Sequence, residues 1–315
     1  MAAQPAELFT RAQPAGSTVA LMRILHLTDT HLYADPDARH YGRIDTRAAF
    51  AAVLDRLRTV EDVDLVVHAG DASEDGSEES YRVLHEMLDA FAESLDAQLA
   101  VAMGNHDVPA AYAAAIAPGD RGDHVQDRVL DVPGGGRCVV LDSSVPGAGY
   151  GHLEPEQLDW LRTVLEQPAP EGPDGARPGT VLVIHHPPLG AETTMLRALE
   201  LDGVDELGEI LAGSDVRVVL SGHYHHEMNG SLVGIPVHVA PGITNVVDPV
   251  SAGEHECSYA LSGASLLQLP DQPSSAVSIS SATWRSGGDA DGDVDVPVYD
   301  FGPEQIAQIA RDAGR

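Results

Sequence analysis

The residues whose types and spacing could do chemistry fall in five short polar clusters: Asp29-Thr30-His31, Gly70-Asp71, Gly104-Asn105-His106-Asp107, His185-His186-Pro187-Pro188 and Gly222-His223-Tyr224-His225. Carboxylate, amide and imidazole donors without a thiolate suit divalent ions. Two such ions close together can supply a nucleophile and neutralise the non-bridging oxygens of a phosphate ester. Asp29 and His31 are two positions apart, so at a strand end their side chains point the same way and share one metal. His223 and His225 repeat the spacing, and Gly222 before them allows a tight turn. Asp71 is placed to bridge, Asn105 offers an amide oxygen, and His106 offers a proton for the leaving oxygen. Singly, each cluster has a plain alternative: Gly-Asp as a turn, Asp-x-His as a cap or salt bridge, Gly-Asn-His-Asp as a turn closed by an Asx hydrogen bond. Their occurrence in one order, each closing an apolar run, points to a two-metal phosphoesterase centre.

The runs that must position them are Ile24 to Leu27, Leu65 to Val67, Leu99 to Met103, Val181 to Ile184 and Val216 to Leu220. They are short and rich in Val, Ile and Leu, which predicts buried strands that end at one ligand-binding edge. Helices are expected over Asp45 to Thr59, Ser77 to Leu95, Pro109 to Ile116, Glu154 to Leu165 and Val204 to Ala212, with Ser77 and the acids behind it as a capped start. From Met228 onward the pattern is strand-like: Met228 to Val233, Val237 to Ala240, Tyr259 to Leu269 and Ala276 to Ser281. An α/β half followed by a β-rich half predicts an α/β sandwich with a two-sheet core and helices outside. Residues 1–22 read as a flexible leader, 23–284 as the catalytic domain, and 285–315 as an acidic Gly/Asp-rich tail with a short helix over Pro303 to Ala313. Gln167 to Gly179 and Arg285 to Val296 read as loops.

The chain has 315 residues, 43% of them hydrophobic, enough for a substantial core. Its 18 basic residues, all Arg, face 49 acidic ones, a net charge of −31. So acidic a chain repels nucleic acid and anionic lipid, while an anionic small substrate is still drawn in where divalent metal supplies local positive charge. Cys138 and Cys257 lack ligand-like spacing and read as buried thiols in a reducing compartment. No stretch approaches transmembrane length and the leader lacks the apolar core of a signal peptide, so the expected setting is cytoplasmic.

The ordered clusters resemble the calcineurin-like metallophosphoesterase superfamily. The surrounding words resemble the bacterial class III cyclic nucleotide phosphodiesterases: Leu25-His26-Leu27-Thr28-Asp29-Thr30-His31-Leu32, Tyr41-Gly42-Arg43, Leu141-Asp142-Ser143-Ser144-Val145-Pro146-Gly147, His185-His186-Pro187-Pro188 and Val233-Gly234-Ile235-Pro236-Val237. The likeness covers Arg23 to Leu269. It implies a four-layer α/β/β/α sandwich. It also implies a first ion on Asp29, His31 and His225, a second on Asn105, His185 and His223, and Asp71 bridging the two. His31, Asp71, Asn105, His106 and His225 would surround the phosphate, with His106 serving the leaving oxygen; Asp107, next in sequence, is expected to orient the His106 imidazole. The implied metals are Fe with Mn, Zn being the alternative, and the implied assembly is a homodimer. The implied reaction opens 3′,5′-cyclic AMP to AMP by in-line attack of a metal-bridging hydroxide. A broader phosphodiesterase and a catalytically silent metal-binding scaffold are the competing readings. His68, Ala72 and His226 depart from the family wording and read as bystanders. Neighbouring strand-end side chains point to opposite sides, so one of His185 and His186 should face the cleft, and the family pattern favours His185. No word for base recognition stands out in the Leu32 to Tyr41 loop, the Ser144 to Gly151 loop or the segment after Ala240.

Overall fold

The structure is a computed structural model and describes residues 21–116, 126–172, 175–251, 255–272, 275–289 and 292–314. Residues 1–20, most of the expected leader, lie outside them. The first half of the chain runs β1 (Leu21–Leu27), α1 (Thr46–Leu57), β2 (Leu65–His68), α2 (Glu78–Ser94), β3 (Gln98–Val101), α3 (Pro109–Ile116), β4 (Arg128–Asp131), β5 (Arg137–Leu141), α4 (Pro155–Leu165) and β6 (Thr180–Ile184). The second half runs α5 (Thr194–Arg197), α6 (Val204–Leu211), β7 (Val216–Ser221), β8 (Met228–Leu232), β9 (Ile235–Val239), β10 (Val246–Asp248), β11 (Glu256–Tyr259), β12 (Leu261–Pro270), β13 (Ser278–Arg285), β14 (Tyr299–Phe301) and α7 (Pro303–Asp312).

Two sheets stack face to face, one ordered β13-β12-β1-β2-β3 and the other β4-β5-β6-β7-β9-β8. Ile24, Leu65, Val67 and Leu267 of the first meet Cys138, Val140, Val183 and Leu220 of the second in a dry inter-sheet core. The outer face of the first sheet packs Leu25, Leu27 and Val66 against Phe50, Leu84 and Phe91 of α1 and α2. The outer face of the second packs Val139, Leu182 and Val219 against Leu161, Leu207 and Leu211 of α4 and α6. Both faces of the central strands are thus covered, which is why they read as continuous apolar runs rather than alternating ones, and the layers are α/β/β/α as expected. Local signals agree with this arrangement: Asp45 caps α1 by accepting the Ala48 N–H at 2.9 Å, and Ser77 caps α2 by accepting that of Ser80 at 3.2 Å.

Strands β1, β2 and β3 are mutually parallel, as are β5, β6, β7 and β9, so their carboxyl ends lie along one edge of each sheet. A third, small sheet, β10-β11-β14, sits beside that edge. Of the residues after 284, the helix expected from Pro303 is present as α7, and Tyr299–Phe301 pairs with β11. The expected Tyr259 to Leu269 strand is divided at Ala260 into β11 and β12. Cys138 is buried, but Cys257 is only half-buried, on the central strand of the small sheet, a correction to its reading as a buried thiol. Among the described residues no helix is long and apolar enough to cross a membrane.

Candidate metal centre

Each polar cluster hangs from the end of a parallel strand: Asp29 and His31 beyond β1, Asp71 beyond β2, Asn105 to Asp107 beyond β3, His185 and His186 beyond β6, His223 and His225 beyond β7. Five of these residues hold left-handed backbone, with φ of 59° at Asp29, 43° at His31, 50° at Asp71, 71° at His223 and 54° at His225. Side chains avoid this region, and such strain persists where the surroundings over-determine it, characteristically at functional sites. Backbone bonds supply the determination. Asp29 N–H donates to Gly70 O at 3.0 Å, His31 N–H to Asp71 O at 3.0 Å, and Gly222 N–H to His185 O at 3.0 Å. Gly70 must be glycine, since at φ 106° a Cβ would stand 2.5 Å from His185 Nδ1 and 2.9 Å from the Gly104 nitrogen.

The donors converge. One atom from each of Asp29, His31, Asp71 and His225 lies within 4.8 Å of the others. On the far side of Asp71, His185 Nε2 is 3.4 Å from Asp71 Oδ2, and the His185 and His223 rings are 5.2 Å apart. Every imidazole is anchored by its other nitrogen: His31 Nδ1 to Glu74 at 2.7 Å, His185 Nδ1 to Ala69 O at 2.8 Å, His223 Nε2 to Leu199 O at 3.0 Å and His225 Nδ1 to Asn245 O at 3.2 Å. This is the outer-shell pattern that fixes tautomer and ring direction in metal sites. Asp29 Oδ2 and Asn105 Oδ1 are buried with no hydrogen-bond partner among the described residues. Orphaned donors of this kind are costly unless a cation satisfies them, so the residues present fit divalent metal.

His106 N–H donates to Asp71 Oδ1 at 2.9 Å, which brings its ring to the rim of the cluster. Its Nδ1 lies 3.2 Å from Glu74 Oε2. Burial alone would lower the His106 pKa, but the Asp71 and Glu74 carboxylates outweigh it and push it up to about 10. At Glu74 the effect runs the other way: hydrogen bonds from His106 and His31 overcome desolvation and hold the carboxyl well below its usual range. Asp107 behaves otherwise than expected. Its carboxylate accepts the backbone N–H groups of Gly104 at 2.8 Å, Ser73 at 2.9 Å and Ala72 at 3.1 Å, so it ties two ligand loops together, while the His106 imidazole is held by Glu74.

All seven expected ligands and His106 are thus brought to one place. His68, hydrogen-bonded to Thr30 at 3.0 Å, and His226, bonded to Glu227 O at 3.1 Å, have other partners. His186 complicates the strand-end argument, because its donor atom also lies within 4.8 Å of those of His185 and His223. Its Nδ1 is engaged by Ser143 Oγ at 2.8 Å, and of the pair it is His185 that reaches Asp71. Glu74 was missed. The signal was available only as a carboxylate three positions after Asp71, which a helix-start reading absorbs as well.

The profile of the calcineurin-like phosphoesterase family matches residues 22–227. This chain belongs to that family. A probable cyclic nucleotide phosphodiesterase of Rhodococcus erythropolis is 34% identical over 251 residues, 79% of this chain and 80% of the relative. The cAMP/cGMP dual specificity phosphodiesterase of Mycobacterium tuberculosis is 37% identical over 232 residues, 73% of this chain and 70% of the relative. A purple acid phosphatase from yellow lupin superposes with a TM-score of 0.54 at 14% identity, covering 94% of this chain and 56% of the larger plant chain, and agrees in fold.

Around the metal donors, the cleft of this phosphoesterase is also lined by uncharged residues: Met195, Leu196 and Leu199 from α5 and its exit, and Tyr41, Val247 and Tyr299. Leu199, just after α5, also carries the carbonyl that anchors His223, so the segment leaving the helix both lines the cleft and sets a donor.

Proposed function

We propose that this phosphoesterase hydrolyses 3′,5′-cyclic AMP to AMP at two divalent metal ions. The observation that carries the reading is the arrangement about Asp71: a carboxylate–imidazole cluster on one side, His185 on the other, and the His106 ring held at the rim by Glu74. In this reading Asp29, His31 and His225 hold one ion, Asn105, His185 and His223 the other, and Asp71 both. Ions bound there neutralise the phosphoryl oxygens and make water a competent nucleophile. His31, Asp71, Asn105, His106 and His225 surround the phosphate. His106, protonated through the carboxylates behind it, gives a proton to the departing O3′, a step needed most when the leaving group is a basic alkoxide.

Cyclic nucleotide as substrate draws support from the two bacterial relatives, whose names specify cyclic nucleotides, and from a cleft that pairs a polar phosphate end with uncharged lining residues. The nitrogen and oxygen donor set admits Fe with Mn, or Zn. We further infer a homodimer, on family resemblance, a cytoplasmic setting, and no nucleic-acid partner, on the net charge of −31.

The test is a substrate panel on metal-loaded protein whose metal content is measured: cyclic AMP, cyclic GMP, 2′,3′-cyclic AMP, a glycerophosphodiester and bis(p-nitrophenyl) phosphate. The expected result is two ions per chain and the highest kcat/KM for a 3′,5′-cyclic nucleotide. A preference for 2′,3′-cyclic nucleotides or glycerophosphodiesters would establish the broader phosphodiesterase instead. Full metal content without turnover of any of them would leave a scaffold.

A further inference from the structure

The small sheet beside the cleft is built partly from the last residues of the chain. Val247, Ser258 and Tyr299 are directly opposite one another on β10, β11 and β14, and all three are buried, so they share the face turned inward. Tyr299 stacks on Phe301 with centroids 4.3 Å apart and ring planes 10° from parallel, and its ring is 4.8 Å from that of Tyr41. Tyr41 in turn is 4.3 Å from His40, and His40 is stacked 4.8 Å from the metal-side ring of His31. A continuous series of rings therefore leads from the phosphate end of the cleft to the C-terminal strand. Tyr41 stands in left-handed backbone at φ 50° and is 48% exposed, an unusual combination for a large aromatic residue.

The arrangement is held by Arg43. Its guanidinium makes bonds of 2.7 and 3.1 Å to the Asp289 carboxylate and reaches the carbonyls of Asp293 and Val296, each at 2.9 Å. Both bonds converge on Oδ2 of Asp289, which is only 6% exposed, so this charge-assisted pair fastens the acidic segment to the Tyr41-Gly42-Arg43 turn. The segment's carboxylates are thereby partly neutralised while Tyr299 is presented beside Tyr41.

A planar, neutral base attached through one ribose to a metal-held phosphate needs an uncharged surface a sugar's length from the donors. Aromatic faces provide it without regard to hydrogen-bond pattern. We propose that Tyr41 and Tyr299 form the stacking wall for the nucleobase, in the cleft that Met195 and Leu196 also line, and that β14, fastened by Arg43, is a specificity-determining part of the cleft. This rests on the cyclic nucleotide reading above.

The experiment compares cyclic AMP with ribose 3′,5′-cyclic phosphate, which keeps sugar and phosphate and lacks the base, on metal-loaded full-length protein and on Tyr41→Leu, Tyr299→Leu, Tyr299→Phe and Arg43→Met. Each Tyr→Leu change should lower the kcat/KM ratio of cyclic AMP to the base-free substrate roughly five- to 100-fold, mainly through KM for cyclic AMP. Tyr299→Phe should restore the ratio, and Arg43→Met should lower it in the same sense as Tyr299→Leu. If Tyr299→Leu fails to fold, the half-exposed Tyr41 position carries the comparison. An unchanged ratio, or equal losses on both substrates, overturns the stacking wall while leaving the reaction intact. Wild-type protein inert toward cyclic AMP yet active on other phosphodiesters overturns the cyclic nucleotide reading, and the wall with it.

Discussion

Nδ1 of His106 and Oε2 of Glu74 stand 3.2 Å apart, and this contact leaves the opposite ring nitrogen of His106 for the substrate. A carboxylate in this position orients the imidazole and stabilises its charged form. Glu74→Gln should therefore lower cyclic AMP turnover by about 10- to 100-fold. His106→Ala should lower it by about 10² to 10⁴. At equal metal content, measured because Glu74 also anchors His31, both should cost much less on bis(p-nitrophenyl) phosphate, whose phenolate leaves without a proton. Steady-state kinetics on the two substrates, with the double variant no worse than His106→Ala alone, would confirm that the pair acts as a unit. Equal losses on both substrates would make His106 a phosphate-positioning group.

Asp71 groups with Asp29, His31 and His225 and also reaches His185 Nε2 at 3.4 Å, the position a bridging ligand would take, whereas His31 Nε2 is 3.7 Å from Asp71 Oδ2 on the first side. Asp71→Ala should lose more bound metal than His31→Ala, because without the bridge the charges of two neighbouring ions are unscreened. Metal analysis of the two variants after identical loading and desalting decides it. A loss at Asp71 no greater than at His31 removes it from the bridging role.

Asp107 accepts three buried backbone N–H groups and makes no hydrogen bond to the His106 ring. Removing it strands those donors, so Asp107→Ala should destabilise the protein by roughly 3 kcal/mol or more. Urea unfolding followed by circular dichroism measures this. A variant of native stability with a selective defect on cyclic AMP would return Asp107 to the role of orienting His106.

Glu256 on β11 is buried, and desolvation, only partly offset by the Thr193 hydroxyl, pushes its pKa from 4.5 up to about 7. A carboxyl whose folded pKa lies above its unfolded value binds more protons when native. Its contribution is complete below the unfolded pKa and is lost as pH rises through the folded one. Glu256→Gln should thus match wild type in Tm below pH 4.5 and become the more stable protein as pH climbs to about 7, with no further divergence above. A Tm difference independent of pH would mean that the carboxyl is not titrating in this window.

The strands and their terminal clusters were legible because burial on both faces writes itself as short Val/Ile/Leu runs, and the ligands follow those runs immediately. Short elements were not. Strand β14 is three residues long in a Gly- and Asp-rich stretch, and α5 has four, so neither carries a full period of either pattern. The role of Glu74 was invisible for another reason: its partners are 43 and 32 positions away, and only the docking of the β1, β2 and β3 loops brings them together. Asp107 misled because adjacency in sequence suggested a partnership with His106, whereas the turn aims its carboxylate back at the loop beyond β2.

The donor set straddles the seam of the sandwich. Asp29, Asp71 and Asn105 descend from one sheet, and His185, His223 and His225 from the other. Cations held between them act as rivets through two layers otherwise joined by apolar packing and a few polar bonds, such as that of His238 Nε2 to Ser265 Oγ at 2.8 Å, so occupancy and resistance to unfolding are linked. At a hundred times its dissociation constant, each ion adds about 2.7 kcal/mol to the folded state. Chelation should then be felt across the whole body, as a lower melting temperature and faster amide exchange in strands far from the cleft.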